Sequence, residues 1–332
     1  MKKILVLGGT GFVGAHVCEK LVRQGWQVTV PTRRLANASQ VQHLPGLTVL
    51  ELNVHDEAAL TQALAGHEAV VNLIAILHGS AAAFNKAHVE LPRKLARACL
   101  QAQVAQLVHV SALGVNEVEP QAAPSNYLKS KGAGEAVLQL AASQPGAFAL
   151  TVLRPSVIFG EEDKFLNLFA KLQAVLPVMP LAGAQARFQP VWVQDVAEAV
   201  VRSLRSGHLG GAPRVFELCG PEVFTLRELV QLSARLSGVR HGRGRPVIGL
   251  PRWAGRLQAL LMECAPGEPL MSRDNLASMR VDNVASVASP QVPGLAALGI
   301  TASALVPLAS VYLTRQQPTV GLPGIRLRAR HR

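Results

Sequence analysis

Three residues in the first half of the chain could together move a proton: Ser111, Tyr127 and Lys131. Tyr127 and Lys131 stand four apart in Asn126-Tyr127-Leu128-Lys129-Ser130-Lys131, so a helix there projects both from one face. An ammonium beside a phenol favours phenolate and brings its pKa toward the range of a general acid or base. The same ammonium can reach the ribose of a nicotinamide nucleotide. Ser111 follows the apolar run Gln106–Val110 and could polarise a carbonyl. Alone, the Tyr-x-x-x-Lys pair is short enough to arise by chance, and as an exposed helix pair it would carry no chemistry. His88 is expected to be a packed or surface helix residue, not a catalytic one.

A second group of residues could hold a nucleotide. Gly8, Thr10, Gly11, Phe12, Val13 and Gly14 link the apolar run Ile4–Leu7 to a helical pattern beginning at Val13. Gly8 permits the tight turn, Gly11 allows a pyrophosphate to approach the backbone, and Gly14 allows the helix to pack closely on the strand. The helix N-terminus adds free N–H donors and a positive dipole end. Trp26–Val30 reads as the second strand and ends at Pro31-Thr32-Arg33-Arg34, with no Asp or Glu between Glu19 and Glu51. An acid there would bond the adenosine ribose, whereas arginine pairs with an added phosphate. Arg33 and Arg34 thus favour NADP(H) over NAD(H), the alternative being two solvated loop arginines. Asn53 and Val54 after the third strand, Ala75 at the end of the fourth and Pro155 at the sixth complete the candidate cofactor contacts, because ligands gather at the C-terminal ends of parallel strands.

The elements that must position these groups are strands and helices in regular alternation. Thr48–Leu52, Ala69–Ala75 and Gln106–Val110 read as buried strands, and a long helix runs from about Ala81 to Gln101. The fold class expected is α/β, a doubly wound parallel sheet (Rossmann) with a smaller C-terminal α+β lobe. The expected division is 1–155 for the nucleotide domain, 156–318 for the lobe with some elements returning to the sheet, and 319–332 for a basic flexible tail. In the lobe, Asp163–Leu176 and Asp195–Leu204 read as helices, with Asp195 as the N-cap of the second.

Composition narrows the partners. Lys and Arg number 33 against 21 Asp and Glu, a net charge of +12, which suits an anionic ligand, an acidic partner or an anionic membrane surface. Aromatics make up only 4%, and no basic run interleaves with them, so no specific nucleic acid is expected. Cys18, Cys99, Cys219 and Cys264 form no Cys-x-x-Cys pair or metal set, and are expected to be reduced, mostly buried thiols. The apolar start ends at Gly8 instead of a cleavage site, so a cytoplasmic protein is expected, peripheral on the inner face of the cytoplasmic membrane if it meets one.

Two later stretches bear on that question. Around Arg235, Arg240, His241, Arg243, Arg245, Arg252 and Arg256 the chain is basic, and Trp253, Leu257, Leu260 and Leu261 recur at helical spacing beside them. Such a helix lies on a membrane interface or in a partner groove, or packs as an ordinary amphipathic helix on the lobe. Val284–Thr314 carries no charge, but Gly299, Thr301, Ser303, Pro307 and Ser310 interrupt it, so no membrane span is expected.

The glycine turn with Tyr127-x-x-x-Lys131 resembles the extended and atypical short-chain dehydrogenase/reductase superfamily. Arg154–Asn167, Gln189–Ala197, Ser272–Val281 and Pro293–Ile300 are similar to its branch of NADPH-binding accessory subunits of respiratory complex I, here in the form of a bacterial relative. The resemblance implies an NADP(H)-holding domain and a C-terminal portion that faces membrane respiratory complex subunits, with little or no turnover. It also marks a departure. Active members carry a run of hydroxyl residues after the fifth strand, whereas Ser111 is followed by Ala112-Leu113-Gly114. The alternative is an NADPH-dependent reductase or epimerase acting on an apolar small molecule such as a quinone or isoprenoid precursor, with Tyr127 as proton donor, Lys131 as its pKa tuner and ribose ligand, and Ser111 as carbonyl polariser.

Overall fold

The computed structural model describes residues 2–205, 213–264, 267, 269–286 and 292–314. The basic tail expected over 319–332 lies outside the described residues. Two compact units divide the chain: Met1–Pro155, Val193–Cys219 and Ala285–Thr301 form the first, and Ser156–Trp192, Gly220–Val284 and the described part of Ala302–Arg332 form the second.

The first unit is built on alternation of buried apolar strands with helices. Its strands are β1 (Lys3–Leu7), β2 (Gln27–Thr32), β3 (Leu47–Glu51), β4 (Ala69–Asn72), β5 (Gln106–Val110), β6 (Ala149–Pro155) and, returning late in the chain, β11 (Arg214–Leu218). They form one sheet in the order β11-β6-β5-β4-β1-β2-β3, and every neighbouring pair is parallel. The order reverses between β1 and β4, which opens a crevice at the strand C-termini where such sheets bind ligands. This is the doubly wound Rossmann sheet that the alternation predicts.

Its helices are α1 (Phe12–Arg23), α2 (Glu57–Leu64), α3 (Ala81–Asn85), α4 (Leu91–Gln101), α5 (Asn126–Ala142) and α7 (Val193–Arg205). Leu5, Leu7, Leu60, Leu64, Leu91, Leu95, Leu107 and Leu138 bury together on one face of the sheet. The helix expected from Ala81 to Gln101 is continuous but contains a π-helical turn, Lys86–Glu90, between α3 and α4. The fourth strand ends at Asn72, three residues short of the apolar run, because the Asn72 side chain turns back to accept the Ile74 N–H at 3.2 Å. Asp195 is not an N-cap: α7 starts at Val193, and Asp195 lies in its first turn, where a carboxylate still meets the positive dipole end. On α7, Glu198 pairs with Lys20 of α1 at 3.2 Å, and Gln194 bonds His16 at 2.9 Å.

Among the described residues the second unit has three two-stranded pieces and five helices. The strands are β7 (Ile158–Phe159), β8 (Met179–Leu181), β9 (Arg187–Phe188), β10 (Val191–Trp192), β12 (Phe224–Thr225) and β13 (Val247–Gly249), paired β7–β10, β8–β13 and β9–β12. The helices are α6 (Leu166–Val175), α8 (Leu226–Leu236), α9 (Arg252–Glu263), α10 (Arg273–Ser278) and α11 (Leu305–Thr314). Thr225 and Glu228 close a capping box on α8, which satisfies two otherwise unpaired helix-end donors. Asp163 anchors the entry to α6: Oδ1 accepts the Phe165 and Asn167 N–H groups, while Oδ2 accepts the Gly160 N–H and the Tyr312 hydroxyl of α11. Among the described residues no helix is long and apolar enough to cross a membrane.

Candidate functional site

The glycine turn lies at the switch point between β1 and β4. Gly8 has φ +81°, a left-handed conformation that disfavours other residues. Gly14 is required by proximity, since a Cβ there would stand 2.1 Å from the Gly8 oxygen and 2.6 Å from the Gly9 Cα. Gly11 differs from both. It is exposed, has φ −86°, and a Cβ would meet only the Gly8 oxygen at 3.4 Å, an ordinary contact. Gly8 and Gly14 are therefore glycines for the fold, whereas the space in front of Gly11 is open. Gly11 is the N-cap of α1, and no side chain caps that end, so the first-turn N–H groups at Phe12 and Val13 face outward as anion donors. Thr10, Phe12 and Val13 are half-buried around the opening.

Arg33 and Arg34 follow β2, and both are exposed. The Thr32 hydroxyl donates to the Arg34 carbonyl at 3.1 Å and shapes this corner. Nearby, Asn53 is exposed and accepts the His55 N–H at 3.1 Å, while Val54 is buried. Burial holds His55 below the usual histidine range, and Lys86, Lys94 and Arg33 add to it against an opposing pull from Glu90. Ala75 is exposed just beyond β4, and Pro155 is buried at the end of β6. Neither contributes a polar side-chain atom; each bounds the crevice with its backbone.

Behind the crevice, α5 carries Tyr127 half-buried and Lys131 buried. The Ser125 side chain caps the helix by accepting the Leu128 N–H at 3.2 Å, fixing the face on which both project. Lys131 Nζ donates to the Val110 carbonyl at 2.8 Å, at the end of β5. Burial lowers its pKa to about 8, against an opposing pull from Glu135 one turn along. The phenol departs from the expectation based on spacing: burial pushes Tyr127 up to about 12 instead of lowering it. Desolvation is the cause of that rise, and the Lys131 ammonium gives its hydrogen bond to a backbone carbonyl. Ser111 is buried beside them, and its Oγ has no hydrogen-bond partner, an orphaned hydroxyl at the strand end. Ala112 and Leu113 after it are buried and supply no hydroxyl; Ala112 packs with Val115, Ala123, Leu128 and Tyr127.

Spacing did not reveal the polar groups that support this site. His88 sits in the π turn, buried, with its Nε2 accepting the Ile76 N–H at 3.0 Å. That bond requires the proton on Nδ1, which donates to Ser130 Oγ at 2.9 Å, and the Ser130 hydroxyl in turn donates to the Tyr127 carbonyl at 2.9 Å. The imidazole thus ties the segment after β4 to the helix bearing Tyr127, and its ring lies 5.6 Å from the phenol, edge-on. Burial and Lys131 bring its pKa down to about 3, so it is neutral. Asn72 and His109, both buried, bond across β4 and β5 at 3.1 Å. Beneath Lys131, Glu135 is fully buried and pairs with Arg154, which also binds Glu117. One signal was legible: Lys131 and Glu135 are four apart on a helix. The others required the fold, because most of them come from elements far apart along the chain.

The donors at the N-terminus of α1, the opening at Gly11, the orphaned Ser111 hydroxyl and the buried Lys131 are what a nicotinamide dinucleotide requires at its pyrophosphate, carbonyl and ribose ends. Among the described residues no group of acidic, Cys or His side chains could hold a metal ion. Cys18 and Cys99 are buried, Cys219 half-buried and Cys264 exposed, all as free thiols.

Comparison with known proteins agrees with this architecture. The family model for the NAD dependent epimerase/dehydratase family matches residues 4–219. The chain is 31% identical over 329 residues to NADH dehydrogenase [ubiquinone] 1 alpha subcomplex subunit 9, mitochondrial, of Mus musculus, covering 95% of this chain and 80% of that protein. It is 29% identical over 209 residues to the ceramide reductase of Caulobacter vibrioides, covering 62% of each. Among solved structures, MoeE5 in complex with UDP-glucuronic acid and NAD superposes with a TM-score of 0.68 at 17% identity, over 95% of this chain and 99% of that one. With its parallel sheet, its glycine turn at the switch point and a family match from residue 4 to Cys219, the chain belongs to the NAD dependent epimerase/dehydratase family, an extended short-chain dehydrogenase/reductase with complex I subunits among its relatives.

Proposed function

We propose that the protein holds NADP(H) as an accessory or assembly component of a membrane respiratory NADH:quinone oxidoreductase, with little or no turnover of its own. The observation that carries this is the similarity to a mitochondrial complex I subunit along 95% of the chain. Two features of the site support holding over turnover. The residues after Ser111 are apolar, and the Tyr127 phenol is pushed up to about 12, far from a working general acid or base at neutral pH.

The nucleotide would lie across the switch point. Gly11 and the N–H groups of Phe12 and Val13 would take the pyrophosphate, Arg33 and Arg34 the additional phosphate of NADP(H), and Asn53 and Val54 the adenine side. Ala75 and Pro155 would border the ribose and nicotinamide, and Lys131 would bond the ribose. When bound, the group would supply hydride chemistry; these residues would supply its position. Residues 1–155 would be the core of the nucleotide domain and 156–318 the partner-facing lobe, apart from the elements of Val193–Cys219 and Ala285–Thr301 that return to the first unit, with the protein peripheral on the inner face of the cytoplasmic membrane.

The protein should copurify with quinone-reductase subunits from detergent-solubilised membranes. NADPH should raise its melting temperature more than NADH at equal concentration, because a ligand stabilises by the logarithm of concentration over Kd. Recovery without such subunits would overturn the assembly role, and equal shifts would overturn the NADP(H) preference.

A second reading, an NADPH-dependent reductase or epimerase acting on an apolar small molecule, is favoured by Ser111 alone: a buried hydroxyl without a partner is suited to receive a substrate oxygen. Under it, Tyr127 would donate the proton, and Tyr127→Phe would abolish NADPH consumption in the presence of quinone or lipid extracts while leaving NADPH affinity unchanged. Consumption that survives the substitution excludes this mechanism.

A further inference from the structure

The helix α9 presents the wrong side to solvent for a helix packed on its own unit. Its buried residues are Gly255 and Ala259, one turn apart, and the close approach they permit is tight: a Cβ on Gly255 would stand 2.8 Å from that of Ala182 and 3.5 Å from Leu276 Cδ2. Packing this tight fixes which face points inward. The opposite stripe holds Trp253, Leu257, Leu260 and Leu261, at the i, i+4, i+7, i+8 spacing of an apolar helix face, and these are 72, 51, 40 and 65% exposed. The small residues face the unit and the large apolar ones face away. An apolar stripe this concentrated is a contact surface, since scattered single exposures, not contiguous ones, are the ordinary case.

The charge around the stripe indicates what covers it. From Leu229 to Met262 the chain has six arginines and no Asp or Glu. Arg252 and Arg256 are exposed on α9 itself, next to the stripe. The preceding turn exposes Arg240, His241 and Arg243, with Arg240 and His241 both in left-handed backbone, φ 49° and 58°. Backbone bonds from Gly242 and Gly244 to the Val239 carbonyl hold this turn. The stripe lies on a single helix, with a tryptophan at its start and cations beside it. An interfacial helix has these features: the apolar side chains enter the acyl boundary, the indole sits at headgroup level, and guanidinium groups meet lipid phosphates.

We propose that α9 and its arginines dock the protein on an anionic phospholipid surface, peripherally and reversibly. This deepens the membrane association of the proposed function but does not depend on any partner subunit, so each can fail without the other.

The test uses the full chain and protein-free vesicles. It should float with phosphatidylcholine vesicles containing phosphatidylglycerol but not with phosphatidylcholine alone, and raised salt should release it. Tryptophan emission should shift to the blue on binding, and the shift should vanish in Trp253→Phe, because Trp26 is already buried and Trp192 half-buried. Leu257→Asp with Leu261→Asp, and separately Arg252→Glu with Arg256→Glu, should each weaken vesicle binding by about tenfold or more. Both pairs should keep the NADPH-induced melting shift, which verifies folding. No flotation on anionic vesicles, or equal flotation of the Asp pair, overturns the proposal. So does self-association that the Asp pair abolishes, which would assign the stripe to a second copy. Recovery of the protein only with membranes that retain their proteins would assign it to a protein partner and overturn it as well.

Discussion

Two helices of this molecule reverse the usual sorting of side chains, in opposite directions. On α5, in the first unit, Lys131 and Glu135 are buried, with Arg154 beside them on β6; on α9, in the second, Trp253 and Leu261 are largely exposed. A buried ion pair is not a cheap way to stabilise a core, since hydrophobic residues of similar volume often do as well or better. An exposed apolar stripe does nothing for the isolated fold. Each departure bears on a proposed contact: the buried charges lie under the helix that carries Tyr127 and Lys131, and the exposed leucines form the proposed docking face. On the proposed reading the first unit is organised inward around a nucleotide and the second outward around a surface.

The most severe way to break that contrast is inside the first unit. Arg154→Met leaves Glu135 buried without its partner and should cost about 3–5 kcal/mol, read as a large loss of melting temperature. An unchanged melting temperature would mean that the carboxylate reaches water.

Next in size is a separation of two glycines. Gly14→Ala places a Cβ 2.1 Å from the Gly8 oxygen and should destabilise the protein by several kcal/mol even without nucleotide. Gly11→Val places its Cβ in open space and should leave the unliganded melting temperature nearly unchanged while abolishing the NADPH-dependent rise. If Gly11→Val melts earlier without ligand yet still responds to NADPH, the pyrophosphate does not lie there.

A smaller, graded effect comes from His88. In the unfolded chain it protonates near pH 6.5, in the fold near 3. Between those values the unfolded state binds the extra proton, so stability falls as pH falls through that window, by about 1.4 kcal/mol per pH unit for each such proton. His109, also held neutral by burial, adds a loss of the same sign. His88→Asn should remove one proton from the slope of urea-unfolding stability against pH between 4 and 6, an interval chosen within about a unit of those limits. An unchanged slope would mean that the imidazole is already solvated.

The smallest effect belongs to the second unit. Leu257→Asp on the exposed stripe should change stability by no more than about 0.5 kcal/mol, whereas Leu107→Ala in the first core should cost about 2–5 kcal/mol. A large loss from Leu257→Asp would show that the stripe is covered from within the protein.

Much of this was legible in the primary structure where chemistry and position are local. The glycine turn, the parallel alternation and the Tyr127–Lys131 pair all depend on residues within one element or one turn, and spacing alone locates them. The apolar stripe of α9 was equally visible as a period, but a period does not say which way it faces. That followed from Gly255 and Ala259, two small buried residues, the first of which packs against Ala182 and Leu276.

What the sequence by itself determined is thus the doubly wound class, the nucleotide turn and the presence of a basic, apolar helix. Tertiary structure decided the rest. It separated the glycines required by the fold from the one left open, placed His88 between Ile76 and Ser130, and turned the pKa of Tyr127 upward instead of downward. The physical reason is common to all three: steric contact and desolvation depend on atoms that are near in space and far along the chain. No local pattern carries that distance.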